Sequence, residues 1–353
     1  MTNKRVSFSN LQKFIHTSML SLGLPPQDAQ TVADYMADAD LQGSEGHGVI
    51  RLPQYARRIL AGGVNTHPNI TLESERAATA LVNGDNAMGH VVMKYATELA
   101  IRKARQSGMA WVGSRLSNHA GPASLYSRMA LEHDMVGMYF AVGNANHLPA
   151  WGGLDMLLST NPISVAVPTL LETPIVLDMA TTVAAYGKVK AKAQKGEMMP
   201  EGWMIDFEGN PLLDPKRSEE GFLLPIGGYK GYGLSLIVGI LAGTLNSAAM
   251  GKSVIDFNHD DSSVTNTGQA IAIIDPAAFG DPNAFKERVD QLIRELKASK
   301  KMKGVERIWL PGEQSHLKRA EHSRLGIPIS AGLEEQLRLV AEKLDIDKIQ
   351  LHE

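Results

Sequence analysis

The 353-residue sequence predicts an α/β protein in which helices from both chain ends accompany one central α/β domain. Three observations predict it. Apolar residues recur at helical spacing over roughly the first 70 positions, short apolar runs alternate with helical stretches from about 78 to 274, and helical spacing returns from about Asn283.

Leu11, Phe14, Ile15, Met19 and Leu22 mark the first helix, with Ser9 as a candidate N-cap and Gly23 at its end. Pro25 and Pro26 open a second helix, which carries Val32, Met36 and Ala39 to Leu41 and stops at Gly43. A third begins at Pro53 and ends at Gly62 and Gly63. After Pro68 come strand-like runs at 78–82, 109–112, 135–142, 164–167 and 175–177, with an alanine-rich helix from about Met88 to Gln106 between the first two. A glycine-rich run leads into an apolar helix from Tyr232 to Leu245, and the strand 270–274 closes the region. Phe285, Val289, Leu292 and Leu296 then resume helical spacing, and the basic stretch Lys297 to Lys303 reads as a solvated face. The predicted division is a helical part at 1–72, a central α/β domain at 73–282 and a helical part at 283–353 that packs with the first.

At 353 residues and 44% hydrophobic, the chain can bury two substantial cores. It has no cysteine, which excludes disulfides, thiolate catalysis and zinc–sulfur sites and makes a reducing cytoplasm the simplest home. A net charge of −3 argues against a nucleic-acid or anionic-membrane partner held by bulk charge. No apolar run reaches the roughly 20 residues of a membrane span, and the polar start Met1 to Arg5 leads into an amphipathic pattern rather than a signal peptide. The ordinary dinucleotide fingerprint G-x-G-x-x-G after a strand is missing. Gly251-Lys252-Ser253 lacks the upstream glycine of a P-loop, whose place Asn246 holds, and there is no H-E-x-x-H. A nucleotide bound here needs another fold.

Four glycines within seven positions, Gly227, Gly228, Gly231 and Gly233, surround Lys230 ahead of an apolar helix, a pattern that lets backbone approach an anionic ligand. His47 lies in a loop between two helices, with Arg51 four residues on. An imidazole that titrates near neutral pH and a guanidinium fork that matches a carboxylate suit an anionic substrate that must be protonated. A helix-connecting loop with a surface histidine and a salt-bridged arginine would look the same. His119 sits at a strand-to-helix junction as an acid/base candidate or as an incidental member of a capping loop. Asp178 ends a strand, where it could orient an imidazole, bind a ribose hydroxyl or cap a helix beginning near Thr182. Ser159 to Pro162 and Trp151 to Gly153 have the look of binding loops. No histidines and acids are spaced as paired metal ligands, so no metal is expected.

Taken together, these segments resemble the malate/L-lactate dehydrogenase type 2 family, the sulfolactate dehydrogenase-like oxidoreductases, which also include Δ1-piperideine-2-carboxylate, ureidoglycolate and 2,3-diketo-L-gulonate enzymes. The resemblance is nearly full length. It rests on 39–43 with 47–55, Asn83 to Asn86, Ser117-Asn118-His119, 150–153, 159–162, 177–181, Gly196-Glu197, Pro200 to Trp203, 227–233, 310–313 and 326–328. It implies reduction of a 2-oxo acid, or of a cyclic 2-imino acid, by NADPH or NADH held in a non-Rossmann α/β fold with a mixed sheet, so that 73–282 becomes the cofactor- and substrate-binding domain. It further implies a homodimer whose active sites are closed by the partner subunit. Carried over by position, His47 and His119 are the acid/base pair, with Asp178 as a third catalytic candidate. Arg51 and Tyr55 contact the substrate, and Asn118 and Thr160 line the pocket beside both substrate and coenzyme. His119, Asp178, Met179, Ala180, Lys230, Gly231, Gly312 and Glu313 belong to the coenzyme site.

Two departures stand out. Gly46 replaces the serine that usually precedes the signature histidine, removing a hydroxyl for the substrate carboxylate, and the segment 143–149 places Asn146 and His147 near the expected nicotinamide, with His147 a further substrate contact. The loss at Gly46 also leaves open a catalytically inactive binding relative. Lys188, Lys190 and Lys192 could pair with a 2′-phosphate, which points to NADP, with NAD as the alternative and a solvated helix face as the bland reading.

Overall fold

In the computed structural model, which describes residues 4–352, the chain enters through β1 (Lys4–Val6) and the helices α1 (Phe8–Ser21), α2 (Pro26–Leu41) and α3 (Leu52–Leu60). The central region follows as β2 (Thr71–Glu75), β3 (Thr79–Ala87), α4 (Gly89–Ser107), β4 (Met109–Ser117), α5 (Ser124–Ser127), β5 (Val136–Ala141), β6 (Leu148–Pro149), β7 (Met156–Leu158), β8 (Ile163–Val167) and β9 (Ile175–Met179). It continues through α6 (Tyr186–Lys195), β10 (Met204–Asp206), β11 (Gly221–Leu223), α7 (Tyr229–Ala242) and β12 (Gln269–Ile274). The chain ends with α8 (Pro282–Ala298), α9 (Glu313–Leu325), β13 (Ile327–Ile329) and α10 (Ala331–Leu344).

Local chemistry sets most boundaries. Helix α1 starts earlier than its apolar spacing suggests because Ser7, not Ser9, is the cap, its Oγ accepting from the Asn10 amide at 3.2 Å. Helix α4 stops where Gly108 turns left-handed at φ 80°. Helix α7 begins at Tyr229, three residues before the expected start, because Gly227 and Gly228 take positive φ and complete the turn. Gly231 must stay bare, since a Cβ there would overlap the Ile226 carbonyl.

Seven strands form one mixed sheet in the order β2-β3-β4-β12-β5-β8-β9. Only β3 and β4 run parallel, joined by the α4 crossover; every other neighbour pair is antiparallel. Strand β12, last in sequence, pairs with β4 on one side and β5 on the other, and this accounts for its unbroken apolar run. Strand β2 was invisible to an apolar search because all five residues are exposed at the sheet edge, where Glu73 and Glu75 discourage further pairing.

One apolar core joins Val6, Leu11, Ile15, Met36 and Leu52 to Ile327, Leu337 and Val340, so the two chain ends share it. A second packs Val92 and Met93 of α4 on Val82, Val112 and Ile271 of the sheet, and Val238 and Ala242 of α7 meet Phe140 and Ala272. Helix α8, at the start of the expected C-terminal part, is tied to loops of the central region. Lys286 pairs with Asp134 at 2.8 Å, and the buried Asp290 carboxylate accepts from the amides of Leu170, Leu171 and Glu172. In the basic stretch Lys300, Lys301 and Lys303 are exposed, and the partly exposed Lys297 places its Nζ 2.9 Å from Glu313 Oε1.

Candidate active site

The loop between α2 and α3 folds as two short 3-10 turns, Glu45–His47 and Val49–Arg51, which place His47 and Arg51 on one recess. The Arg51 Nε donates to the Gly46 carbonyl at 2.8 Å and its Nη1 to Gln54 Oε1 at 2.9 Å. No carboxylate pairs with it among the described residues, so the salt-bridged alternative gives way to a half-satisfied guanidinium. Gln54 is tied in turn to the Phe257 carbonyl at 3.2 Å.

The His47 and His119 rings stack with centroids 5.6 Å apart and 12° between planes. Tyr55 Oη lies 2.6 Å from His119 Nδ1, and the Gly121 amide points to the same nitrogen at 3.4 Å. An amide can only donate, so Nδ1 is the acceptor and the neutral ring carries its proton on Nε2. Tyr55 is 2% exposed, with its ring edge-on to His90 and Phe257. In this structure the Tyr55 hydroxyl, expected to contact the substrate, is bonded to His119.

Burial, and then the Arg51 charge, lower the His47 pKa to about 4. His119 is pushed well below the ordinary imidazole value by burial first, then by Arg51, His47 and His90. His147 falls to about 4 and the fully buried His90 to about 3, burial leading in both. Groups held neutral in the fold but charged in the unfolded chain make stability fall as pH drops from 6.5 toward 4. Asp40 and Asp178, raised by burial, act in the opposite sense but are outnumbered. The expected result is a Tm clearly lower at pH 4.5 than at pH 7 in calorimetry, with a shallower slope in His90→Phe; an unchanged Tm would refute these environments.

The segments that carry the expected coenzyme residues are tied together by backbone. The Thr160 carbonyl accepts from both the amide and the hydroxyl of Thr181 at 2.9 Å, and the Thr181 carbonyl takes the Ile226 amide at 3.0 Å. This brings Thr160, the end of β9 with Asp178, Met179 and Ala180, and the turn before Lys230 side by side. Asp178 keeps solvent access yet is closely surrounded by protein, and burial raises its carboxyl above the usual carboxylate range, with the Ser124 hydrogen bonds opposing. Its Oδ2 accepts from the Ser124 amide at 2.9 Å, so it caps α5, five residues beyond His119, and not a helix near Thr182. Lys230 is exposed in the first turn of α7 with no hydrogen-bond partner among the described residues, an unfavourable place for a cation unless an anion joins it.

Four other candidates are placed differently. Asn118 is 1% exposed and saturated: its amide donates to the Asn86 and Ala87 carbonyls at 2.9 Å and its Oδ1 accepts from Thr265 Oγ1 at 2.7 Å. These bonds hold the start of the His119 loop. Glu313 is 7% exposed and its carboxylate is taken by Leu310 N, Lys297 and Arg307, while Gly312, left-handed at φ 92°, packs on Val176. The turn therefore offers backbone rather than a carboxylate. His147 stacks on Tyr186 at 4.3 Å and feels Asp256, Lys190 and Arg51. Of Lys188, Lys190 and Lys192 in α6, Lys192 pairs with Glu197 at 3.0 Å and Lys190 lies 5.2 Å over the Tyr186 ring.

Tyr186, Phe257, Gln54 and Ser124 escaped sequence reasoning. Gln54 sat inside a recognised motif, whereas Phe257 arrives from a loop with no local pattern. Among the described residues, no cluster of three or more histidines and acids could hold a metal.

The family described as malate/L-lactate dehydrogenase matches residues 6–338. The chain is similar to a malate dehydrogenase of Pyrococcus horikoshii, 40% identical over 97% of this chain and 96% of that protein. It is also similar to an L-sulfolactate dehydrogenase of Methanothermobacter thermautotrophicus, 37% identical over 97% and 98%. Among solved structures, the sulfolactate dehydrogenase of Methanocaldococcus jannaschii superimposes with a TM-score of 0.90 at 35% identity, covering 97% of this chain and 98% of that one.

Proposed function

This chain belongs to the malate/L-lactate dehydrogenase family, and from that premise we propose that it is an oxidoreductase moving a hydride between NAD(P)H and C2 of a small 2-oxo acid to give a 2-hydroxy acid. The observation that carries this is the unpaired Arg51 guanidinium beside two stacked, neutral imidazoles. Arg51 grips the substrate carboxylate with its unused N–H groups. Burial first and the Arg51 charge second depress His119, and the bound anion offsets the second, which favours proton uptake on substrate binding. The Tyr55 hydroxyl can donate or accept and so serves Nδ1 in both protonation states. His119 Nε2 then delivers a proton to the substrate oxygen.

The residues present fit a nicotinamide coenzyme, which when bound supplies the hydride to C2. Lys230 without a partner, the left-handed Gly227 and Gly228 and the helix start behind them suit an anionic group, and Asp178 suits a hydroxyl-rich one. Only one strand pair is parallel, so the sheet lacks the successive parallel crossovers of a doubly wound dinucleotide site, which supports a non-Rossmann mode with the coenzyme at the ends of β9 and α7. We read NADP as the coenzyme because Lys188 of α6 is exposed without an ion-pair partner among the described residues; NAD is the other outcome of the same assay.

The preferred substrate carries a second acidic group, as malate and sulfolactate do in the relatives named above. Lys190 and His147, which share the field of Arg51, supply positive and hydrogen-bonding character for it. The test is oxidation of NADPH and NADH with pyruvate, oxaloacetate, sulfopyruvate and the cyclic imines Δ1-piperideine- and Δ1-pyrroline-2-carboxylate. Oxaloacetate or sulfopyruvate should be fastest. Faster imine reduction would favour the imino-acid alternative, and no turnover together with no coenzyme fluorescence change would mean an inactive relative.

Helix α7 presents Leu234, Ile237 and Ile240 to solvent, with Leu245 just beyond. An apolar face of this kind supports a homodimer with the active site at the subunit interface, to be checked by sedimentation at twice the 38.2 kDa chain mass. Among the described residues no helix is long and apolar enough to cross a membrane. The cysteine-free composition supports a cytoplasmic location.

A further inference from the structure

Asp40, at the end of α2, is 4% exposed and pairs with no cation among the described residues. Its Oδ2 accepts from the Val49 amide at 2.7 Å, and Val49 lies midway between His47 and Arg51. The contact exists because Gly48 is bare: a Cβ there would overlap the Asp40 carboxyl. The Asp40 backbone carbonyl is itself held, by the Gly43 amide at 3.0 Å and by His322 Nδ1 of α9 at 3.0 Å. The carboxyl thus projects from a fixed base to one point on the functional loop. Burying a carboxyl for a single backbone N–H is a poor exchange on stability grounds, since the desolvation is large and no cation compensates it. What the exchange secures is position.

We propose that Asp40 is a positioning residue that, through Val49, sets the loop presenting His47 and Arg51 and so determines how the substrate carboxylate is gripped. The proposal rests on the reading of Arg51 as the substrate anchor. Burial, reinforced by Glu45 of the same loop and opposed by the Val49 amide, pushes the Asp40 carboxyl up to about 8. The other charged or titratable neighbours are His322 on the backbone carbonyl and Lys318, whose stem packs on Gly43. Burial thus favours the protonated carboxyl, and its ionisation beneath the loop is shifted to higher pH, toward about 8.

The test compares the full-length enzyme with Asp40→Asn and Asp40→Val, measuring kcat and KM for the 2-oxo acid and for coenzyme from pH 6 to 9.5. Amide exchange over residues 44–51 is measured on the same proteins without substrate. Asp40→Val should raise the 2-oxo acid KM by about tenfold or more, leave the coenzyme KM within about threefold and lose Val49 protection. Asparagine keeps an acceptor for Val49 but cannot ionise. It should hold KM within about threefold of the unmodified enzyme at pH 7 and abolish a step in KM near pH 8. Lost Val49 protection with unchanged KM in Asp40→Val would overturn the proposal and leave the reading of Arg51 intact. Retained Val49 protection in that variant would overturn it even if the enzyme reduced no 2-oxo acid, which would sink the functional reading separately. If Asp40→Val fails to fold, a KM step near pH 8 that persists in Asp40→Asn overturns it.

Discussion

Arg51→Ala is expected to raise KM for the 2-oxo acid by roughly 30-fold to several thousand-fold, the equivalent of about 2–5 kcal/mol of charged hydrogen bonding. The size follows from the site. Arg51 sits in a recess where its charge faces neutral imidazoles and no carboxylate among the described residues, so an incoming anion meets an unspent guanidinium in a poorly hydrated setting. Two of its nitrogens are already held by Gly46 and Gln54, which fixes the fork before substrate arrives. Arg51→Lys should recover only part of the loss, because an ammonium cannot make two parallel bonds while reaching Gly46. Steady-state kinetics with saturating coenzyme decide the matter. A KM for the 2-oxo acid unchanged in Arg51→Ala would remove Arg51 as the carboxylate anchor, and with it the basis for the substrate class.

His119→Ala is expected to lower kcat by about 10²–10⁴ while leaving coenzyme affinity nearly unchanged, the range for loss of a positioned general acid. His47 is the other candidate, and the two rings are close enough to exchange roles in principle. The geometry separates them. His119 has its tautomer set by Tyr55 and Gly121, whereas His47 has its ring placed by stacking alone. Tyr55→Phe should therefore cost roughly tenfold in kcat, the scale of one orienting hydrogen bond, and the same change should have little effect once His119 is already alanine. If His119→Ala turns over normally and His47→Ala does not, the proton donor is His47. If both turn over normally, the acid/base chemistry lies elsewhere.

Local pattern accounts for much of what the sequence revealed. Helical spacing in α1, α2 and α4 and apolar runs in β4, β5 and β12 are read within a few residues of one another, so they survive without knowledge of the fold. The positions of His47, Arg51, His119, Asp178 and Lys230 were legible for a related reason: each lies in a motif of five to ten residues with glycines or element ends beside it. The errors came from contacts between distant segments. Strand β2 exists because β3 offers it an edge, not because of its own composition. The motifs of Tyr55 and Asn118 likewise could not show that one is bonded to His119 and the other to Asn86, Ala87 and Thr265. Helix α8 lies by position with the C-terminal helices, and its contacts with Asp134 and Leu171, in loops beside β5 and between β8 and β9, could not be read from its own sequence.

By itself, then, the sequence determined the α/β alternation, the cysteine-free chemistry, the family signature and the set of side chains able to act. Tertiary structure alone decided which of those side chains remain unspent. A hydrogen-bonding group is available to a ligand only when no nearer partner has taken it; the partners of Arg51 are local, whereas those of Tyr55, Asn118 and Glu313 come in part or wholly from segments remote in the chain. Their distances along the sequence, up to 147 residues for Asn118 and Thr265, put the answer beyond any local reading.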